Sequence, residues 1–351
     1  MDLKRIRENI DLLDSRLHHL LNERMEWVLM AKKFKSRIED RKREEEVFEK
    51  IRRHTTGLIS APSMKRIFRE IIRESKSLQK EDCRLIAFQG EHGAYSEVAA
   101  GGWDRELVPV PCRTFQGAID GVQSGLYDFC IVPVENTLSG VVDPVNELLI
   151  ETDLQVVGAV ALAIHHCLLV LPGTDKGDIH TVYSHPQALR QCRRFLEMNH
   201  LDPVPYYDTA GAAKMLTEKR SKGSAAIASR LCAMLYDLEI EEENIEDHER
   251  NRTRFLVLSK EAGREVGDKC SIIFSTEDKE GALFKVLGMF AREHINLTRI
   301  DSIPCDSGNY AFFLDFIGPA GEERVTRAIE DVKRIVRTFR LMGCYKEKRI
   351  L

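Results

Sequence analysis

Near residue 250 the chain reads Asn251-Arg252-Thr253-Arg254-Phe255 and runs directly into the apolar stretch Leu256-Val257-Leu258. A hydroxyl between two guanidinium groups at a strand's edge can donate a hydrogen bond to a leaving oxygen while the cations hold a carboxylate nearby. Taken alone, the pentapeptide reads more readily as an exposed hairpin edge. Two more polar phrases, Val132-Pro133-Val134-Glu135-Asn136-Thr137 and Tyr183-Ser184-His185-Pro186-Gln187, each close an apolar run and open a helical one. An amide there either orients a substrate or caps and orders its own loop. Among the first eighty residues, Arg24 interrupts an apolar seam, and Ser75 and Gln79, an i,i+4 pair, extend an apolar stripe with polar groups. A cation and an amide aimed into a bundle interior are costly unless a ligand meets them. The alternative for Arg24 is snorkelling at the bundle's end. His165, His166 and His185 read as structural, because adjacent histidines lack metal-ligand spacing.

Three kinds of element must position these groups. Residues 3–37 carry one helical period, with Ile6, Ile10, Leu13, Leu17 and Leu20 continued by Trp27, Ala31 and Phe34. At 1.5 Å per residue such a helix is roughly 50 Å long, longer than an 80-residue domain is wide, so it needs a partner chain. Lys35, eleven residues after Arg24, falls about 20° away on the same face. Two more helices follow, over about 40–54 and 62–79, the latter with Ser60 as N-cap before Pro62. From Arg84 the pattern changes to short apolar runs alternating with amphipathic helices, the signature of a mainly parallel α/β sheet. Each run ends in small polar residues, and in open α/β sheets the carboxyl ends of strands form the ligand crevice. The stretches 156–171 and 244–258 read as two crossings between lobes. After a polar linker, Glu261 to Asp268, the order is strand, helix, strand, strand, helix, strand.

Composition narrows the function. The chain has 351 residues, 43% of them hydrophobic, and a net charge of −4, which fits a soluble protein of two or three domains. No apolar run is long enough to span a bilayer, and the amino terminus opens into a charged helix rather than a secretory signal. Nine cysteines without CxxC spacing imply reduced thiols in a cytoplasm rather than a disulfide or zinc framework. Residues 1–80 hold 21 Lys and Arg against 14 Asp and Glu, a net of +7, so the remainder carries −11. The basic module has no nucleic-acid reader motif and no aromatics interleaved with its cations, so a small anion is the better partner.

With these phrases in hand, residues 84–260 closely resemble prephenate dehydratase. The resemblance implies that prephenate loses CO2 and hydroxide to become phenylpyruvate, with aromatisation as the driving force. It implies Thr253 as donor to the leaving hydroxyl, Arg254 near a substrate carboxylate and Phe255 packed behind them. Asn136 and Gln187 are expected to position the substrate. The turn from Gly93 to Ser96, with Thr209, is expected to cradle a carboxylate on backbone N–H groups. The expected architecture is a two-lobed α/β domain of the periplasmic-binding-protein type.

Residues 3–80 resemble the all-helical chorismate mutase module through Arg7, Arg24, Lys35, the cluster Asp40-x-x-Arg43-Glu44, and Ser75 with Gln79. Carried over, Arg7 of a partner chain joins Arg24 on the substrate carboxylates. Lys35 and Gln79 donate to the breaking ether oxygen, Glu44 takes the ring hydroxyl, and Asp40, Arg43 and Ser75 complete the shell. A one-molecule rearrangement needs restraint and charge stabilisation but no nucleophile, cofactor or metal. The connection from Lys35 to Asp40 is shorter than the family's usual loop.

Residues 269–351 resemble an ACT regulatory domain, with Gly281-Ala282-Leu283 at its first helix and Asp301-Ser302-Ile303-Pro304 ending its second strand. That implies phenylalanine as effector at Gly281, Ala282, Leu283, Asp301 and Ser302. Asp and Ile stand where the family commonly has Glu and Arg, and a dimerisation module without a ligand is the alternative. Together the resemblances imply a bifunctional enzyme of phenylalanine biosynthesis, cytoplasmic and dimeric or tetrameric, with no nucleic-acid or membrane partner. Arogenate dehydratase, a non-aromatising prephenate decarboxylase and a binding-only amino-acid regulator compete with it.

Overall fold

The structure, a computed structural model, describes residues 2–54, 57–263, 267–304, 310–319 and 321–351. Residues 264–266 of the expected linker lie outside that set. The chain forms two compact units, Met1–Arg84 and Leu85–Leu351.

The first unit is all helical: α1 (Leu3–Lys32), α2 (Arg41–His54) and α3 (Ala61–Lys80), with α3 packed on both others. Asp2 and Ser60 cap α1 and α3 through their side-chain oxygens. The apolar seam of α1 stays exposed, with Leu13, Leu17 and Trp27 at 55%, 56% and 64% of full exposure. The helix expected to reach residue 37 ends at Lys32. Residues 33–40 form a turn and bends instead, and Asp40 starts α2 by accepting from the Arg43 amide at 2.9 Å.

Among the described residues the second unit contains three sheets. Its elements are β1 (Leu85–Gln89), α4 (Tyr95–Trp103), β2 (Val108–Cys112), α5 (Phe115–Gln123), β3 (Phe129–Asn136), β4 (Gly140–Val141), α6 (Asp143–Glu151), β5 (Gln155–Ala163) and β6 (Cys167–Val170). There follow β7 (Thr181–Ser184), α7 (Pro186–Gln191), α8 (Arg193–Met198), β8 (Asp202–Pro205), α9 (Thr209–Lys219), β9 (Ser224–Ala228), α10 (Arg230–Leu235), β10 (Glu239–Glu243) and β11 (Arg252–Ser259). The last part holds β12 (Lys269–Ser275), α11 (Ala282–Arg292), β13 (Leu297–Pro304), β14 (Tyr310–Ile317), α12 (Glu323–Ile335), β15 (Thr338–Tyr345) and β16 (Glu347–Ile350).

Sheet order in the first lobe is β16-β5-β11-β3-β1-β2 with β4 on β3, and in the second lobe β10-β6-β9-β7-β8. The chain crosses between lobes twice, from β5 to β6 and from β10 to β11. β1, β2 and β3 are parallel, and β11 runs antiparallel between β3 and β5. The carboxyl ends of β1 and β3 and the amino end of β11 therefore share one edge of the sheet. Continuous burial along β1, β9 and β11 shows that both faces of these strands are covered.

The regulatory sheet, β13-β14-β12-β15, follows the expected βαββαβ order. Two features depart from expectation. Cys270 and Cys344, directly opposite on β12 and β15 with Cα atoms 4.1 Å apart, form a disulfide. This corrects the reading of all cysteines as free thiols, because strand pairing joins residues 74 positions apart in sequence. The second is β16, which leaves the regulatory sheet and pairs in parallel with β5 of the first lobe. Gly343 permits this close approach: a Cβ there would come within 2.2 Å of the Val156 carbonyl oxygen.

Candidate active sites

At the shared sheet edge, register sets Thr253 opposite Asn136 and Arg254 opposite Glu135. Asn136, almost fully buried, donates through Nδ2 to Thr253 Oγ1 at 2.9 Å, Asn251 Oδ1 at 2.8 Å and the Arg252 carbonyl at 3.1 Å. Its Oδ1 accepts from the amides of Leu138 and Ser139, both at 3.0 Å. Ser139 Oγ in turn accepts from Gln187 Nε2 of the other lobe at 2.8 Å. Thr253, Asn136 and Gln187 are thus joined across the cleft in one hydrogen-bonded line. Asn251, read in sequence only as part of the pentapeptide, is a functional candidate that was missed. It is buried beside Asn136, and its Nδ2 has no hydrogen-bond partner.

The rest of the cleft is closed by contacts between lobes. Ser229 Oγ donates to the Gly93 carbonyl at 2.6 Å, and Lys214 and Tyr207 reach Glu91 at 2.8 and 3.1 Å. Gly93, at φ +92°, lies so close to α10 that a Cβ would fall 2.4 Å from Cys232 Sγ. The expected carboxylate cradle is corrected in part. The Gly93 amide donates to the chain's own Glu97 at 2.6 Å. At α9 the Asp208 carboxylate accepts from the amides of Ala210 and Gly211, so Thr209 sits at an N-terminus that is already capped. Helix α4 differs, since Ala94 at its N-cap offers no side-chain acceptor for the amides around Tyr95 and Ser96.

Arg254 and Phe255 do not meet the cleft. Strand alternation turns Arg254 away from Thr253, and its buried guanidinium is taken by Asp315, Glu347 and Tyr345 of the C-terminal region. Burial alone would lower it, but those neighbours hold it above the ordinary arginine range. This corrects its expected role on a substrate carboxylate. Phe255 is 1% exposed within the main core. The histidines brace the crossings: His165 pairs with Glu246 at 2.8 Å, His166 lies between Tyr95 and Gln191, and His185 caps α7. Burial pushes His166 below its ordinary value.

In the helical unit, Arg24 Nη1 donates to Ser75 Oγ at 2.5 Å, and Gln79 Nε2 to the Val28 carbonyl at 2.7 Å. Ser75 and Gln79 are buried, and burial lowers the Arg24 guanidinium. Glu44 of α2 reaches Lys76 of α3 at 2.7 Å. Lys76 is a cation that the sequence reading passed over, although it adjoins Ser75. Three expected groups fall elsewhere in this chain. Lys35 is exposed beyond the end of α1, Asp40 serves as the cap of α2, and Arg43 pairs with Glu46 at 3.1 Å. Arg7 is exposed on α1.

In the regulatory part, a cavity of about 140 Å³ is lined by Thr276, Asp278, Lys279, Ala282, Leu283 and Tyr310, among others. Gly281, at φ +77°, opens α11 beside it. Asp301 is drawn to Arg299, which corrects it as an effector contact, while Ser302 is exposed and Ile303 buried.

A helical unit with a half-buried arginine beside a buried amide, a cleft lined by neutral donors, and a four-stranded regulatory sheet define a multifunctional enzyme acting on small carboxylates. Three family models match in that order: chorismate mutase type II at residues 6–80, prephenate dehydratase at 86–263 and the ACT domain at 271–334. The bifunctional chorismate mutase/prephenate dehydratase of Aquifex aeolicus is 34% identical over 98% of both chains. Arogenate dehydratase 2 of Petunia hybrida is 37% identical over 77% of this chain and 73% of its own. The crystal structure of prephenate dehydratase from Arthrobacter aurescens in complex with L-Phe superposes with a TM-score of 0.70 at 29% identity, over 75% of this chain and 89% of that one. The chain belongs to the bifunctional chorismate mutase/prephenate dehydratases. Its activities are the rearrangement of chorismate and the decarboxylating dehydration of prephenate.

Proposed function

We propose that Thr253 donates the hydrogen bond that carries the C4 hydroxyl of prephenate away. One observation supports this most: Asn136 already donates to Thr253 Oγ1. An oxygen that accepts there must aim its own proton elsewhere, toward the cleft. As the ring carboxylate leaves as CO2, the electron pair of the broken C–C bond aromatises the ring and expels hydroxide. Thr253's hydrogen bond stabilises that hydroxide as it departs, and a proton from solvent converts it to water. Asn251 and Gln187 then hold the substrate by neutral hydrogen bonds while Asn136 orients Thr253, and the amides around Ser96 receive the side-chain carboxylate at the start of α4. A ring carboxylate without a cation beside it is the poorly stabilised ground state that decarboxylation requires.

In the helical unit, Arg24 with Ser75 binds a chorismate carboxylate, and Gln79 donates to the ether oxygen. Glu44 with Lys76 meets the ring hydroxyl. Arg7 enters from a second copy across the exposed α1 seam, making the enzyme a homo-oligomer. Phenylalanine is the effector, bound at the cavity beside Gly281, Ala282 and Leu283. Prephenate rather than arogenate is the substrate, because the attached mutase unit delivers it directly.

Feeding chorismate to the full-length protein and following prephenate and phenylpyruvate separately tests this reading. Both species should appear in succession, and phenylalanine should slow only the second. Turnover of arogenate at the higher kcat/KM would overturn the substrate assignment.

A further inference from the structure

Thr253 and Arg254 are adjacent in sequence but point to opposite faces of β11. The Arg254 guanidinium, on a residue 6% exposed, is saturated by three strands of the C-terminal region. Asp315 of β14 meets Nη1, Tyr345 of β15 accepts from Nη2 at 2.9 Å, and Glu347 of β16 accepts from Nε at 2.6 Å. The acceptors are themselves held. Ser271 of β12 donates to Asp315 and lies 2.5 Å from the Tyr345 hydroxyl, and Lys269 donates to Glu347 at 2.8 Å. Asp315 is fully buried.

On the dehydratase side, Glu135 lies between two such arginines. Its Oε1 is 3.6 Å from Arg254 Nη1, and its Oε2 is 4.0 Å from Arg299 Nε. Arg299, on β13, is held by Asp301, stacks on the Phe313 ring at 4.5 Å and donates to Asn146 of α6 at 2.8 Å. One residue along each paired strand lie the two cleft groups. Arg254 adjoins Thr253, and Glu135 adjoins Asn136.

Stability alone does not call for this arrangement, because apolar residues of similar volume commonly replace a buried ion pair without loss. A planar fork bound at all three nitrogens does something apolar packing does not: it fixes the direction of the strand that carries it. We propose that Arg254 is a positioning residue for the dehydration, tying Thr253 to the regulatory sheet through Asp315. A shift of that sheet that loosens Asp315 leaves Arg254 to Glu135, and so acts on Asn136 and Thr253 together. This rests on the assignment of Thr253 and Asn136 to the cleft and names the route by which the regulatory sheet reaches them.

The test uses the full-length enzyme, with mutase activity and melting temperature as internal controls. Asp315→Asn removes the charge at nearly constant shape. It should lower dehydratase kcat about ten- to hundredfold with KM little changed, since misplacement by about 1 Å costs that much. Mutase turnover should stay at its wild-type level. Arg254→Met/Asp315→Leu removes both charges at similar volume, and should melt at or above the wild-type temperature while keeping the low kcat. A folded double variant with wild-type kcat overturns the proposal, because the pair would then serve packing only. If the double variant does not fold, wild-type kcat in Asp315→Asn overturns it equally. Thr253→Val run in parallel separates the two readings. An active Thr253→Val enzyme refutes the cleft assignment, whereas an inactive one beside normal Arg254 and Asp315 variants refutes only the coupling.

Discussion

Replacing Thr253 by valine keeps the shape of the side chain and deletes one oxygen. In the folded enzyme that oxygen accepts one bond, from Asn136 Nδ2, which has two other acceptors within 3.1 Å. Losing one of three shared acceptors should cost at most about 1 kcal/mol of stability. In the transition state the same oxygen meets developing hydroxide, and removing such a donor costs about 3–4 kcal/mol, or two to three decades in kcat. Stability and rate should therefore part company. Asn136→Asp sharpens the test, because it retains the Thr253 hydroxyl but replaces the donor facing it with an acceptor. Thr253 then donates its hydrogen bond to the new carboxylate, and the dehydratase should fall as far as in Thr253→Val. Stopped assays of phenylpyruvate from prephenate, with thermal melting alongside, measure both. A Thr253→Val enzyme within threefold of wild type, or an active Asn136→Asp enzyme, would refute the donor geometry.

Arg24→Ala should abolish chorismate consumption and leave prephenate turnover intact, since the two units are separately compact; equal loss of both activities would count against this. Ending the chain before Lys269 should destroy the dehydratase rather than free it from control. The cut removes β16 from the catalytic sheet, strips the strands that cover the Arg254 face of β11 and leaves that guanidinium only Glu135, and soluble, active truncated protein would refute it. Acidification should destabilise the second unit in part through His166, whose folded value burial depresses below 6.5. The unfolded chain then binds the proton more readily, so this contribution is complete above about pH 6.5 and declines as pH falls below it. His166→Gln should shrink the difference between melting temperatures at pH 7.5 and 5.5, and an unchanged difference would remove His166 as the cause.

Sequence by itself determined the elements and most of the polar groups. Periods of 3.6 and 2, with caps such as Ser60, set where most helices and strands lie, though not the end of α1 at Lys32, and the regulatory domain followed its expected element order. Thr253, Asn136 and Gln187 stood out as candidates because each adjoins an apolar run at a strand's end, where α/β sheets expose ligand sites. Tertiary structure decided what those patterns leave open. Period 2 says that Thr253 and Arg254 face opposite ways, but not which face meets the cleft and which meets another sheet. The partners of Arg254 lie 61 to 93 residues away, and no local rule reaches that far. The same distance hid the pairing of Cys270 with Cys344 and the return of β16. Asp208 and Glu97 show the converse limit. A helix N-terminus attracts an anion from any source, and only the packed chain reveals that its own carboxylates arrived first.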